Sequence, residues 1–445
     1  LDAYYELAND IDLTADTHEG GKLSLASKRC PQGFGWEAIN GFSGSLNGNG
    51  HTIKGLYQNN YLECNFYEGV AYTREWNNNG NGLFGSLTGK PTIENLVLED
   101  FDINCQGGYC GALASRYIDD SDYVEGTDDG AVFRNIVLRN SKINGVYNPS
   151  NRDGAKVYGG GLFGKFETYN SRPILISNIY LDFKIGDEDF INKAYLLSYV
   201  AGANVSINNI QVKGTLNGIF DDGSGAAVLI YDAQDYIDSI EKYDIRNVLS
   251  TVTGRNIGSF INGSSDTFVN NFNALNINNT LLCKNCVGVE NVSLFDVNTE
   301  VYKLTDKNNY STWENFDDNW VIKTVDGIPR IPILKFVDFE YTKINDISIK
   351  QELNKYNKIY DFIEPNIEPA KRILYKSNNE NIVKIDDNGV IIPQATGSTT
   401  IHVESYYDGY IKDVPISVVY KPHYTIHFDS NGLNHVDFLG REFDI

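Results

Sequence analysis

The chain has 445 residues, of which 41% are hydrophobic and 12% aromatic, enough apolar material for one solenoid with appendages or for two to four ordinary domains. Its 37 basic and 59 acidic residues give a formal net charge of −22, which disfavours binding to nucleic acid and to anionic membrane surfaces. No apolar run approaches the roughly 20 residues that span a bilayer, so we expect no membrane insertion in this segment. Because the chain begins at Leu1 without a secretory signal, we expect a processed or excised piece of a longer protein.

Short strands separated by Asn- and Gly-rich turns are predicted over the first 60 residues, for example in the run FSGSLNGNGHTI at Phe42–Ile53. A Gly-Leu-Phe-Gly motif follows, and later parts of the chain repeat it with decreasing fidelity. The copies are Gly82–Gly85, Gly111–Leu113, Gly161–Gly164, Ala226–Leu229 and Ile257–Phe260. Glycine at the ends of these strands permits the backbone angles of sharp corners.

A second motif comes after each of these copies and consists of an apolar residue, any residue, Asn and a second apolar residue. Its seven copies are Ile93–Leu96, Phe133–Ile136, Ile176–Ile179, Ile207–Ile210, Ile245–Val248, Val269–Phe272 and Val289–Val292. An eighth copy, Ile53–Leu56, carries Gly in place of Asn. Several copies continue with alternating apolar residues, which is typical of a strand with one buried face. The Asn-to-Asn steps of 40, 43, 31, 38, 24 and 20 residues indicate a repeated core with variable loops.

The repeated asparagines are predicted to stack in one structural column. Strands on successive rungs lie about 4.8 Å apart, and an amide can both donate to and accept from its neighbours in the column. The alternative is a surface row of amides that bind a ligand. The predicted members are Asn95, Asn135, Asn178, Asn209, Asn247, Asn271 and Asn291.

Residues 4–334 resemble bacterial surface and secreted proteins that carry GLUG-type repeats. The matching words are the opening Leu7–Leu13, the run Phe42–Ile53, the Gly-Leu-Phe-Gly repeats and the closing stretch Trp313–Leu334. The resemblance implies a right-handed parallel β-helix over residues 1–334. Such helices also occur beside a zinc-peptidase domain, but no His-Glu-x-x-His motif is present, since His18-Glu19 is followed by Gly-Gly-Lys.

The composition changes after Leu334. Residues 335–342 are predicted to be a linker, and residues 343–420 resemble a bacterial immunoglobulin-like (Big, group 2) domain through Ser377–Ile391 and Ala395–Val403. Residues 421–445 resemble the start of an internalin-type repeat, through Tyr424–Gly432. The fold class predicted for the whole chain is therefore all-β: a right-handed parallel β-helix followed by a small immunoglobulin-like β-sandwich.

The six cysteines are predicted to form disulfides in an oxidising compartment. The candidates lie in three sequence neighbourhoods: Cys30 with Cys64, Cys105 with Cys110, and Cys283 with Cys286. Their pairing is left open. The Cys283–Cys286 motif could instead be half of a zinc site, although no second half accompanies it.

Three long polar insertions, Tyr57–Asn81, Tyr117–Gly130 and Phe183–Tyr195, are either solvated decoration or recognition loops. Calcium is a candidate at the second insertion, through Asp119, Asp120 and Asp122, because hard cations take oxygen ligands. The spacing does not match an EF-hand loop, and no other cofactor is predicted.

No catalytic residues are predicted. The Asp-Asp dipeptides lie in turns, where solvated Asp is the default, and neighbours on a strand point to opposite faces. These dipeptides are Asp119-Asp120, Asp128-Asp129, Asp221-Asp222 and Asp317-Asp318. His51 belongs to a turn of the repeat. The 29 tyrosines could include an exposed row that binds sugar faces, but most are expected to pack between coils or cover strand edges.

The sequence therefore predicts an extracellular adhesive or structural protein of a bacterial cell surface, without enzymatic activity. A rigid β-helix would display variable loops to an unknown protein or glycan ligand on a cell or matrix, and further domains of the same chain are expected. Two alternatives remain: the non-catalytic region of a larger secreted, peptidase-type enzyme, and a β-helical lyase or hydrolase acting on polysaccharide.

Overall fold

The structure is a computed structural model in which most described residues belong to β-strands, the majority of them in parallel sheets. Helical segments are short: Thr14–Thr17, Phe316–Asn319 and the 3-10 turn Lys307–Tyr310. None of the helices in the described part of the chain is long and apolar enough to cross a membrane. The described residues are 1–18, 20–24, 35–59, 66–67, 70–71, 80–105, 108–120, 130–145, 157–169, 172–186, 190–194, 196–201, 204–217, 225–227, 229–232, 242–251, 253–255, 261–263, 276–281, 304–311, 313, 315–344, 349–352, 357–359, 363–364, 373–405 and 407–419.

Sheet 1 is the largest sheet, and its main strands pair in parallel and in chain order. These strands are Tyr4–Glu6, Ser45–Asn47, Thr92–Glu99, Val132–Gly145, Pro173–Ile185, Asn204–Asn217, Lys242–Ser250 and Asn276–Leu281. Short strands extend it at Ile11–Asp12, Thr52–Lys54, Tyr57–Asn59, Asp102–Cys105 and Thr253–Arg255.

Two smaller parallel sheets are built from the segments that precede the long strands. Sheet 2 contains Phe84–Thr88, Ala114–Asp119, Phe163–Thr168 and Val200–Ala201. Sheet 3 contains Gly108–Gly111, Val157–Gly160, Phe190–Ala194 and Gly225–Ala227. Successive repeats of the chain visit sheet 3, then sheet 2, then sheet 1. Two-stranded sheets pair Ile230–Asp232 with Ile261–Gly263 and Phe66–Tyr67 with Val70–Ala71.

The corner of each long strand explains the spacing of the Asn motif. Asn95, Asn135, Asn178, Asn209 and Asn247 all have left-handed backbones, with φ between 53° and 56°. One left-handed residue breaks the alternation of a strand, so the apolar residues before and after it both face inward. Ile93 and Leu96, for example, are both fully buried. Asn is favoured here because its short polar side chain tolerates this conformation.

A second left-handed corner lies five residues further along. It is occupied by Asp100 (φ 56°) and Asn140 (φ 52°) on neighbouring rungs. The pairing of Thr52–Lys54 with Val97–Glu99 places Gly55 (φ 70°) at this second corner. The motif Ile53–Leu56 is therefore not an earlier copy of the Asn motif but part of a different corner. Sequence alone confuses the two because Gly, Asp and Asn all accept a positive φ.

The main core is a stack of apolar side chains between the sheets. One column within it runs Ile93, Phe133, Ile176, Ile207 and Ile245, which are register partners on successive strands of sheet 1. Each of these side chains is at most 1% exposed.

A second core covers the outer face of sheet 1. Val137, Tyr180 and Leu249 project from that face and are buried by residues of the segment 304–341, including Trp313 and Trp320. This segment contains two short antiparallel pairs, Trp320–Val321 with Ile333–Leu334 and Thr324–Val325 with Ile328–Pro329. Residues 335–342, marked by composition as a linker, belong to the same compact unit as this segment.

The chain divides into two compact units. The first comprises Leu1–Lys343, Ile363–Leu374 and Glu404–Lys412, and the second Ile344–Phe362, Tyr375–Val403 and Asp413–Ile445. Strands of the C-terminal part form a four-stranded sheet (Ile349–Glu352, Ile411–Val419, Gly397–Ser405, Ile373–Ser377), a three-stranded sheet (Asn357–Lys358, Val390–Pro393, Val383–Ile385) and the pair Lys343–Ile344 with Ile363–Glu364.

Glu404–Lys412 joins the first unit through a buried ion pair. Arg330 Nη1 donates to Asp408 Oδ2 over 3.0 Å, and both side chains are fully buried. Burial raises the pKa of Asp408, against the opposing effect of Arg330. The Arg330 guanidinium also lies 4.7 Å from the centre of the Tyr410 ring. These contacts are structural, because neither charge is accessible to a ligand.

Candidate functional site

Three tyrosines meet where sheet 3 adjoins sheet 2, and we call them the tyrosine patch: Tyr109, Tyr158 and Tyr199. Tyr109 and Tyr158 are register partners on neighbouring strands of sheet 3. Tyr199 immediately precedes the sheet 2 strand Val200–Ala201. All three side chains are half-buried, so each keeps part of its surface in contact with solvent.

The rings of the patch touch one another. The Tyr109 and Tyr158 rings are stacked, with centroids 5.1 Å apart and planes inclined by 22°. The Tyr199 ring approaches each of them edge-on, with both centroid distances at 5.5 Å. Aromatic pairs prefer such offset-stacked and edge-to-face arrangements, so the three rings form one supported platform.

Charged groups border the platform on the outer face of sheet 2. Lys165 Nζ lies 5.3 Å from the Tyr109 ring centre and 5.4 Å from that of Tyr199. It also forms an ion pair of 2.8 Å with Glu167 Oε2, and both side chains are less than one-fifth exposed. Tyr169 follows on the same side of the chain and is 60% exposed. The Lys165–Glu167 ion pair, which is mostly buried, therefore lies at one edge of the three rings.

Hydrogen bonds fix the strand that carries Tyr109. The Tyr109 carbonyl oxygen accepts from Ser115 Oγ (2.8 Å) and from Asn81 Nδ2 (3.2 Å). The neighbouring Cys110 is joined to Cys105 by a disulfide with a Cα–Cα distance of 6.5 Å. A cross-link over five positions restricts the short segment that leads into the Tyr109 strand.

Gly164 brings the two sheets close enough for the patch to form. A Cβ at this position would lie 2.4 Å from Cys110 N and 2.8 Å from the carbonyl carbon of Tyr109. Because glycine has no Cβ, the strand with Lys165 can lie directly against the strand with Tyr109. The last Gly of this copy of the Gly-Leu-Phe-Gly motif is thus needed for a close approach of backbones.

The patch offers both aromatic and polar contacts to a ligand. Burial raises the pKa of Tyr109, so its phenol stays neutral and can both donate and accept a hydrogen bond at neutral pH. Aromatic faces pack against the apolar C–H faces of flat ligands, and the hydroxyls and ion pair supply polar contacts at the rim. The described side chains of the patch include no nucleophile paired with a base.

The calcium candidates are not brought together. Asp119 is fully buried, and its Oδ2 accepts a 2.6 Å hydrogen bond from Arg172 Nη1. Asp120, its neighbour on the chain, is exposed, and Asp122 lies outside the described residues. Asp119 is the last residue of the strand Ala114–Asp119, and Asp120 lies just beyond its end. No cluster of three metal-ligating side chains occurs in the part of the chain that the structure describes.

Five of the predicted Asn column residues form a continuous hydrogen-bonded ladder. Each side-chain nitrogen donates to the amide oxygen of the asparagine on the preceding strand, and the first, Asn95, donates to Asn47. The donor–acceptor distances are 3.0 Å for Asn95, 2.8 Å for Asn135, 2.9 Å for Asn178, 3.0 Å for Asn209 and 3.1 Å for Asn247. Trp320 Nε1 also donates to Asn209 Oδ1. Beyond Asn247, the strand register places Asn279 next, since Arg246 pairs with Asn278 and Val248 with Thr280. Asn271 and Asn291 lie outside the described residues.

The remaining candidates fall into two groups. Cys30, Cys64, Cys283 and Cys286 lie outside the described residues, as do Asp128, Asp129, Asp221 and Asp222. Asp317 is an exposed surface carboxylate paired with Lys307 at 2.7 Å. His51 Nδ1 lies 3.1 Å from Oδ1 of Asp10, which is 41 positions earlier in the chain.

The 29 tyrosines of the chain suggested an exposed tyrosine row, but their positions in the sequence did not show where it lies. One signal was available, because Gly108–Gly111 and Val157–Gly160 both place Tyr two positions before the glycine that ends the strand. Tyr199 is not part of such a motif, because it lies beside a strand of sheet 2 and not on a strand of sheet 3.

Comparison of the chain with protein-family models, with curated proteins and with solved structures finds no match.

Proposed function

We propose that this chain is an extracellular adhesive protein of a bacterial surface, whose tyrosine patch binds a glycan. The observation that carries the proposal is the half-buried platform of Tyr109, Tyr158 and Tyr199 on strands of the parallel sheets. Large aromatic side chains that remain partly solvated are the usual anchors of binding surfaces. Pyranose rings offer flat C–H faces that match such a platform, with hydroxyls that the rim can bind.

The scaffold of the proposal is a right-handed parallel β-helix. In-register parallel strands, the Asn ladder and the repeated order of the three sheets support it. Right-handedness is the hand that crossovers between parallel strands adopt in nearly all proteins. In this proposal the C-terminal part serves as an immunoglobulin-like spacer, consistent with its short-stranded sheets.

Location outside the cytoplasm is supported by the Cys105–Cys110 disulfide, since such bonds persist in oxidising compartments.

The test is glycan-array binding by the intact chain and by two variants, Tyr109→Ala and Tyr158→Ala. Each variant removes a central ring, so we expect at least about tenfold weaker binding from each. Tyr4→Ala is the matched control, because Tyr4 is 63% exposed and lies outside the patch. Cleavage of the bound glycan would contradict an adhesive role, and unchanged binding by the patch variants would remove the patch from it.

A further inference from the structure

Arg116 stands beside the tyrosine patch on the outer face of sheet 2. It is the register partner of Ser86 on one neighbouring strand and of Lys165 on the other. Its guanidinium has no hydrogen bond or ion pair with any residue that the structure describes, and its side chain is half-buried. An arginine guanidinium carries five N–H donors in a planar fork.

Two cations thus occupy neighbouring rungs, about 4.8 Å apart along the sheet. Like charges directly opposite each other on paired strands repel. Lys165 is compensated by Glu167 and by the Tyr109 and Tyr199 rings. Arg116 has no acidic register partner, so the described side chains of this face carry one uncompensated positive charge. That charge stands out on a chain with a net charge of −22.

The positive charge also reaches the platform. Arg116 acts on the phenol of Tyr109 in the direction that lowers its pKa, although burial dominates and raises the pKa overall. Arg116 is also the register partner of Lys165, whose Nζ lies 5.3 Å from the Tyr109 ring centre, so a ligand on that ring lies beside the arginine. A sugar packed on the Tyr109 ring would bring its exocyclic substituent to the arginine.

We infer that the glycan bound by the tyrosine patch is anionic, and that Arg116 binds its carboxylate or sulfate. This inference rests on the proposed glycan binding and names its ligand class. An arginine fork matches the planar carboxylate through two parallel hydrogen bonds and also binds sulfate oxygens. The anion would relieve the repulsion between Arg116 and Lys165, which a neutral sugar leaves in place.

Calorimetric titration with three hexasaccharides of one backbone tests the inference. The probes are a hyaluronan hexasaccharide, its carboxyl-reduced neutral form, and the neutral form after sulfation. We expect the carboxylated or the sulfated probe to bind about tenfold more tightly than the neutral one, and the tighter of the two identifies the anion.

Arg116→Gln should abolish the preference, because the affinities for the carboxylated and sulfated probes should fall to that for the neutral hexasaccharide. Arg134→Gln removes the same charge from a strand of sheet 1 and should keep the preference. If Arg116→Gln does not fold, the comparison of the three probes on the unaltered chain still decides whether the bound glycan is anionic.

Equal binding of all three probes would overturn the inference and leave the proposed function standing. A preference that survives Arg116→Gln would also overturn it. Failure of every probe, together with a blank glycan array, would overturn the proposed function itself.

Discussion

Each asparagine in the ladder has a left-handed backbone and also forms hydrogen bonds through its side-chain amide. Asn178 has φ of 55°, donates to Asn135 and accepts from Asn209. Alanine would lose both hydrogen bonds and would also pay for a left-handed backbone, whereas glycine would lose only the bonds. The two substitutions therefore separate the two contributions.

We expect Asn178→Ala to lower the free energy of unfolding by about 3 kcal/mol and Asn178→Gly by about 2 kcal/mol, measured by urea denaturation. Asn9→Ala, at an exposed turn, is the control and should change it by less than about 0.5 kcal/mol. If both substitutions lowered the free energy of unfolding equally, the left-handed backbone at position 178 would cost alanine nothing. Losses as small as that of the control would show that the ladder adds no stability.

Among the strands, the close approach of sheets 2 and 3 depends on a glycine, Gly164, which has no side chain. Gly164 faces the backbone of Cys110 and Tyr109 at distances that no real Cβ tolerates. Gly164→Ala should force the two strands apart, since backbone cannot rotate aside as a side chain does. It should destabilise the protein by about 3 kcal/mol in urea denaturation and weaken glycan binding in the folded fraction.

Gly89→Ala is the matched control for this substitution. Gly89 has φ of 68° and nothing within 4 Å of an added Cβ, so only the backbone cost of about 1 kcal/mol is expected. Comparable losses at the two positions would mean that the sheets relax around the methyl group. Intact binding by Gly164→Ala would mean that the patch does not depend on the separation of the sheets.

The sequence predicts those features that depend on residues close together in the chain, and it misses those that depend on contacts between distant residues. The Asn motif is local, so its spacing predicted both a strand and a column, and five of its asparagines now lie in one ladder. The corner at Gly55 was misassigned because left-handed residues look alike in sequence. The cover over sheet 1 was missed because Trp320 and Asn209 are 111 residues apart in the chain.

The patch was harder to predict than the fold for the same reason. Tyr109 and Tyr158 share a short sequence motif. Tyr199, Lys165 and Arg116 share none, and they lie at the patch because of the register between the strands of sheet 2. Register between distant strands is fixed by the packing of inward apolar residues, not by the outward residues that form the site. A sequence can therefore show the residue types of a surface site without showing which of them meet.

At the scale of the whole molecule, the local charge of the patch opposes the charge of the chain. The net charge of −22 repels an anionic sugar at long range, whereas Arg116 attracts it at contact. Salt screens the first effect more than the second, because the Debye length falls from about 30 Å at 0.01 M to about 8 Å at 0.15 M.

We therefore expect the association rate of the hyaluronan hexasaccharide to rise between 0.01 M and 0.15 M salt, as measured by stopped-flow fluorescence. The carboxyl-reduced hexasaccharide is the control, and its rate should stay constant over the same range because it carries no charge. Arg116→Gln should preserve the rise, since the long-range repulsion comes from the rest of the chain, but it should speed dissociation by removing the contact. A rate that falls steadily with salt would show that positive charge dominates the approach to the patch, and the acidic surface would then have no part in ligand selection.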